Sequence, residues 1–202
     1  MDDARPIYAD QEPRAAPVDL PARRLFFAIS PPSYIREKLT ELQDGPRRFA
    51  WVPEEKFHLT LRFFGAVETE IADRIIDAAR EIRAKPFLLH LEGVGVFPSE
   101  KRPQALWAGL GKAHPHLFGL QKQLEDVAVN LGFDVSGPRF TPHITVARCR
   151  KEASESVRQW LKRHGDFGSA PFAVDAFTLY RSRTLPGGAV YQPVETFPLE
   201  DE

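Results

Sequence analysis

Apolar residues recur along this chain with two periods. Residues 24–29 are a short apolar run stopped by Ser30-Pro31-Pro32, which predicts a buried strand. Ser30 is placed to cap a following helix that runs to about Leu42. Ile35, Leu39 and Leu42 sit at helical spacing there, and Gly45-Pro46 breaks it. Residues 49–52 predict a brief strand and 56–64 a clear one closed by Gly65. Ile71, Ile75, Ala78, Ala79 and Ile82 form one stripe of a helix over 69–84. Residues 86–96 alternate as one long strand, and 104–110 form another. A helix over 114–131 carries Leu117, Leu120, Leu124, Val127 and Leu131 on one face, with Gly132 at its end. Strands over 140–149, 172–181 and 189–197, and a helix over 152–163 carrying Val157, Trp160 and Leu161, complete the pattern. The last two strands are joined at Pro186-Gly187-Gly188. Hairpin-like strand pairs between helices predict an α+β fold with antiparallel sheets, not a doubly wound parallel sheet. No glycine-rich phosphate loop follows any strand, which takes support from NTPase and dinucleotide readings.

One tetrapeptide pattern occurs twice. His58-Leu59-Thr60-Leu61 and His143-Ile144-Thr145-Val146 are 85 residues apart, each in a predicted strand preceded by a comparable strand and helix. This suggests an internal duplication. Side chains alternate across a strand, so His58 and Thr60 share one face while Leu59 and Leu61 take the other. The same holds for His143 and Thr145 against Ile144 and Val146. If two such lobes face each other, two imidazoles and two hydroxyls converge in one cleft. Imidazoles titrate near neutrality, so one can remove a proton while the other supplies one. Threonine hydroxyls can donate to non-bridging phosphate oxygens. A phosphodiester displacement needs this set, and it needs no metal.

Composition narrows the setting. The 202 residues suit one large domain or two small halves sharing one body, and 43% of them are apolar. The net charge of −1 excludes a polybasic nucleic-acid tail protein and a highly acidic disordered one. Residues 1–22 hold five acids, two arginines and four prolines with little periodicity, and read as a disordered tail; 23–199 read as one bilobal domain. Glu200-Asp201-Glu202 closes the chain, so the body between the two ends is mildly basic. Cys149 is the only cysteine, so no intramolecular disulfide forms. No run spans a bilayer, and the N-terminus lacks signal-peptide features, so a cytoplasmic protein without membrane contact is expected.

The sequence resembles the two-histidine (2H) phosphoesterase superfamily, and within it the RNA 2′,3′-cyclic phosphodiesterases of the ThpR or LigT type, historically called 2′-5′ RNA ligases. The resemblance extends from Arg24 to Leu199. It rests on Arg24-Leu25-Phe26-Phe27-Ala28-Ile29, Trp51-Val52-Pro53, the stretch from Phe57 to Gly65 and Gly95-Val96-Phe97-Pro98. It rests further on Leu106-Trp107-Ala108-Gly109, the stretch from Phe140 to Arg148, and Phe177-Thr178-Leu179-Tyr180-Arg181-Ser182. It implies a bilobal, pseudo-twofold α+β fold, with two antiparallel sheets flanked by helices around a central cleft. It implies opening of a 2′,3′-cyclic phosphate at an RNA end to a 2′-phosphate and a 3′-hydroxyl, without metal or nucleotide cofactor. His58 and His143 would then be the acid–base pair, with Thr60 and Thr145 as phosphate ligands. His143 is written as base and His58 as acid, an order the motifs alone do not set. Ligation to a 2′-5′ linkage, another cyclic-phosphate nucleotide as substrate, and an RNA-end binding module without turnover stay open. The protein is expected to act as a monomer.

Other residues are placed by parity. Arg148 matches an arginine that the family carries after the second motif. Strict alternation puts it opposite His143, and a bulge would restore its aim. Arg62 shares the parity of His58 and could bind substrate or be salt-bridged. Phe64 and Trp107 are expected at the cleft wall as base-stacking candidates, and Phe57 and Phe63 in the core. His114-Pro115-His116 reads as a loop and helix start rather than a metal site, and His90 and His164 as structural or surface residues. Cys149 lacks the partners of a nucleophile. Arg47-Arg48 and Lys101-Arg102 are basic pairs that could track RNA phosphates.

Overall fold

β-branched and aromatic runs become strands in the computed structural model, which describes residues 23–46, 49–137, 140–149, 154–186 and 188–200. The N-terminal tail and Arg47-Arg48 lie outside the described residues. The strands are β1 (Arg23–Ile29), β2 (Phe49–Trp51), β3 (Leu59–Val67), β4 (Phe87–Leu89), β5 (Leu91–Phe97), β6 (Ala105–Leu110), β7 (His143–Cys149), β8 (Phe172–Val174), β9 (Ala176–Leu185) and β10 (Gly188–Pro198). The helices are α1 (Ser33–Thr40), α2 (Thr69–Arg80), α3 (Pro115–Asn130) and α4 (Ser154–Arg163).

Eight strands form an antiparallel sheet in the order β10-β9-β1-β3-β7-β6-β5, with β2 also on β7. It has two halves. One is β10-β9-β1-β3 and the other is β7 with β6, β5 and β2. They meet in one register pair, Leu59 of β3 with Ile144 of β7. The fold is the expected α+β arrangement of antiparallel strands and helices. The apolar side of the first half packs Phe27 edge-on against Phe64, Phe177 and Phe197. Ile75 and Ala79 of α2 and Leu120 and Leu124 of α3 are fully buried in the same core. Burial of these apolar surfaces, at about 25 cal/mol per Å², is the main force holding helices to sheet.

Three local expectations change. Ser30 does not cap α1: Pro32 stands at the cap with no side-chain bond, and the Ser30 hydroxyl pairs instead with the Tyr180 hydroxyl at 2.6 Å. The long strand over 86–96 is broken at His90. Its first part, β4, leaves the large sheet to pair with β8 in a separate two-stranded sheet. The strand expected over 56–64 begins only at Leu59, because Glu54–Lys56 form a 3₁₀ turn. The end of α3 follows the sequence closely. Gly132 takes φ +88°, and the N–H groups of Gly132 and Phe133 donate to the carbonyls of Val129 and Ala128, which closes the helix.

Candidate active site

Leu59 and Ile144 are the middle residues of the two His-x-Thr triplets, and they are the pair that joins the two halves of the sheet. An antiparallel pair has a local twofold axis between its partners. The register through this pair sets His58 across from Thr145 and His143 across from Thr60. Leu59 and Ile144 are buried, whereas the two histidines and two threonines are only half-buried. The alternation read from sequence therefore brings both His-Thr pairs onto one face, at the seam.

The histidines are anchored identically. His58 Nδ1–H donates to the Lys56 carbonyl at 2.7 Å, and His143 Nδ1–H donates to the Thr141 carbonyl at 2.7 Å. A carbonyl only accepts, so Nδ1 carries the proton in each neutral ring. That leaves each Nε2 free to take or give a proton. Burial is the largest influence on both rings and holds their pKa values below the usual imidazole value; the carbonyl bonds oppose it. The charges of His143 and Arg148 lower His58 further, and Arg148 also lowers His143. Arg148 therefore acts electrostatically on both histidines.

Arg148 reaches that position through a bulge. In the β6–β7 ladder Trp107 faces Thr145 but Leu106 faces Ala147, so Val146 is an extra residue. Val146 and Ala147 are both buried, and Arg148 emerges on the face of His143. β3 has the matching irregularity. Ala28 faces Thr60 but Phe27 faces Arg62, so Leu61 is extra. This inverts the parity expected for Arg62, Phe63 and Phe64, and a second irregularity between Phe63 and Gly65 restores it. Phe63, expected in the core, is 60% exposed and shares Phe26 as a ring neighbour with His58. Phe64, expected at the cleft wall, is buried against Phe27 and Phe133.

The same bulge at Leu61 turns Arg62 away from the face of the two histidines. Its side chain is buried, and its guanidinium donates to the Ser136 hydroxyl and, at 2.6 Å, to the Asp134 carbonyl. It also pairs with Glu125 of α3 at 3.6 Å. Arg62 ties β3, α3 and the loop before β7 together.

Rings surround the histidines. Phe26 and Tyr191 lie 5.1 Å from His58, and Tyr180 stacks on Phe26. Phe97 lies 4.8 Å from His143, and Trp107 6.1 Å away, so Trp107 does stand beside the site. Phe26, Phe97, Tyr180 and Tyr191 escape a reading of the sequence alone. The one signal for them is the parity of Phe26, opposite to core-facing Phe27. A groove of about 690 Å³ leads from Thr60 and His143 past Phe63 to Val135 and Phe140.

The remaining candidates lie elsewhere. His114 caps α3, its Nδ1 accepting from the His116 N–H at 3.2 Å. His164 bonds Asp44 at 2.6 Å, and His90 faces Glu92. Burial pushes the Cys149 thiol up to about 11, which leaves it unreactive near neutrality. Among the described residues, no three His, Cys, Asp or Glu side chains cluster to hold a metal, and no helix is long and apolar enough to cross a membrane.

Residues 29–107 and 110–191 match the family model described as LigT like Phosphoesterase. The chain belongs to this family. Family relatives named RNA 2′,3′-cyclic phosphodiesterase include one from Thermus thermophilus, 36% identical over 192 residues, covering 89% of this chain and 91% of the relative. Another, from Archaeoglobus fulgidus, is 32% identical over 178 residues, covering 86% and 99%. The crystal structure of E. coli LigT complexed with 3′-AMP superposes with a TM-score of 0.75 at 30% identity, covering 90% of this chain and all of that one.

Proposed function

We propose that this LigT-like phosphoesterase hydrolyses 2′,3′-cyclic phosphate ends of RNA to a 2′-phosphate and a 3′-hydroxyl, by acid–base catalysis between His58 and His143. The reading is carried by the paired motifs: two imidazoles with Nδ1 held by backbone carbonyls, related by the twofold at Leu59 and Ile144. The names of the relatives support the substrate class.

In the reaction, His143 Nε2 takes a proton from water as its oxygen forms a bond to phosphorus. The P–O3′ bond breaks, and protonated His58 gives its Nε2 proton to O3′. Thr60 and Thr145 donate to the non-bridging oxygens. Arg148 balances the negative charge that grows on the phosphorane, where a fixed charge is worth most. Trp107 walls the site beside His143. No step calls on a metal or nucleotide cofactor, and the protein acts in the cytoplasm as a monomer on RNA ends.

The test is incubation with an RNA oligomer ending in a 2′,3′-cyclic phosphate and, separately, with a cyclic mononucleotide, with products resolved by chromatography. A 2′-phosphate product from the oligomer is expected. His58→Ala and His143→Ala should each lose on the order of 10²-fold or more. Their double variant should lose less than the product of the two, since they act as a unit. Near-normal turnover by either folded single variant would overturn the acid–base assignment, and absence of turnover by the wild type, with RNA ends still bound, would leave binding without catalysis as the better account.

A further inference from the structure

We infer that four rings hold the two imidazoles in their working orientation, Tyr191 and Phe26 for His58 and Phe97 and Trp107 for His143, an inference that rests on the hydrolase reading above. Each histidine has one hydrogen bond to a backbone carbonyl, at Nδ1. Such a bond fixes one point of the ring and leaves it free to tilt about that point. Among the described residues no carboxylate pairs with either imidazole; the histidines that have one are His90 and His164. The rings supply the missing restraint, in the same form on both sides. One meets each imidazole nearly at a right angle: Tyr191 of β10 at 80° and 5.1 Å from His58, and Phe97 of β5 at 78° and 4.8 Å from His143. A second leans on it from the strand paired with the motif strand: Phe26 of β1 at 44° and 5.1 Å, and Trp107 of β6 at 57° and 6.1 Å.

The rings are themselves braced. Phe26 lies on the histidine face, away from the core that holds Phe27, yet it is only 2% exposed, because Phe63, Tyr180, Tyr191 and His58 close around it. Tyr180, stacked on Phe26, is pinned through its hydroxyl to Ser30. Trp107 leans on Phe97 and lies over Gly95, where any Cβ would overlap the indole. Uncharged rings also hold water off the imidazoles, in keeping with burial as the largest influence on both. Among the described residues, the charged groups that act on the pair belong to β7: His143 and Arg148 on His58, and Arg148 on His143. The strands packed on either side bring Phe26, Phe97, Trp107 and one titratable group, the Tyr191 phenol.

The test reads the imidazoles and the rate separately. The Cε1–H resonances of His58 and His143 are titrated by NMR in the free protein, and kcat and KM are measured on an RNA oligomer ending in a 2′,3′-cyclic phosphate. In Tyr191→Ala the His58 titration should rise towards the ordinary value of about 6.5, with His143 little moved. The loosened imidazole should lower kcat by roughly 10- to 100-fold while KM holds. Tyr191→Phe should restore both readings, because the ring and not the hydroxyl does the holding. Phe97→Ala should act in the same way on His143 rather than His58. Tyr191 is half-buried on the edge strand β10, so its variants should fold, which a thermal melt verifies. An unmoved His58 titration in folded Tyr191→Ala would overturn the inference. So would a raised KM with kcat kept, which would make the ring a substrate contact instead. Absence of turnover by the wild type would overturn the hydrolase reading, whereas the titrations judge the restraint of the rings by themselves.

Discussion

Arg148 stands to His143 as Phe63 stands to His58: each is five residues further along its strand, and each is returned to the histidine's face by one extra residue, Val146 or Leu61. The local twofold that equates the two histidines therefore ends at this position. One lobe presents a cation and the other a ring. Two equivalent imidazoles would have no reason to divide the roles of acid and base. The asymmetry at the fifth residue gives the two sides of the histidine face different chemistry, one charged and one flat and apolar.

Arg148 lowers both imidazole pKa values. Its removal should let both rise, so both limbs of the bell-shaped kcat/KM profile should move to higher pH in Arg148→Ala. The same variant should lose on the order of 10- to 100-fold in kcat/KM, the scale of a charged hydrogen bond to an anion. Arg148→Lys should restore the position of the limbs better than the rate, since a point charge replaces the charge but not the planar fork. Profiles with unmoved limbs would place Arg148 outside the electrostatic reach of the pair.

Stability should also respond to the histidines. Both titrate below their unfolded value near 6.5, because burial disfavours the charged ring. As pH falls through that value, the unfolded chain takes up protons first, so it binds more protons than the folded one. Folding stability is then complete above about pH 6.5 and declines on acidification towards the folded pKa values. The double variant His58→Gln with His143→Gln should lose less stability between pH 7.5 and pH 5 than the wild type, measured as urea midpoints. The acidic groups elsewhere titrate equally in both proteins. Parallel curves would mean that the rings are not held neutral by the fold.

What is legible in the chain and what is hidden differ by one physical factor. Alternation within a strand is local, so His58 with Thr60 and His143 with Thr145 can be paired from spacing alone. A bulge is a property of two strands in register, and the residues around Leu61 and Val146 carry no mark of it. Alternation alone therefore exchanges Phe63 with Phe64, and it leaves Arg62 open to substrate, solvent or a salt bridge, of which the buried pairing with Glu125 is the one formed. The break at His90 has a similar cause: β4 leaves the large sheet because β8, more than 80 residues away, offers it a partner. Helix α3 needs no partner to be read. Its apolar stripe and Gly132 lie within one segment: Leu117, Leu120 and Leu124 are buried as expected, Ala128 rather than Val127 continues the stripe, and Gly132 ends the helix.

The exchange of the two phenylalanines has a stability signature. Phe64 packs against Phe27 and Phe133 in the core, so Phe64→Ala should cost about 3–5 kcal/mol through lost burial and a cavity. Phe63→Ala removes an exposed ring and should cost under about 1 kcal/mol. Guanidinium midpoints of the two variants decide the matter. Equal costs, or the reverse order, would restore the parity expected from unbroken alternation.

The last prediction concerns the tie that holds the groove wall. The side chains of Arg62 and Glu125 are only 7% and 15% exposed, and their hydrogen bonds fasten β3 and α3 to the loop leading to His143. Arg62→Ala leaves the Glu125 carboxylate buried without its counter-charge, which should cost about 3–5 kcal/mol. Exchanging both members, Arg62→Met with Glu125→Gln, leaves no buried charge. The introduced amide can still accept the Ser136 N–H through its carbonyl oxygen, and the introduced thioether chain can fill space against Phe64, over whose ring the guanidinium now lies. The double variant should therefore be more stable than Arg62→Ala alone, and denaturant midpoints measure this directly. Equal or greater destabilisation in the double variant would show that the bonds from Arg62 to Ser136 and Asp134, not its pairing with Glu125, carry the stability of the wall.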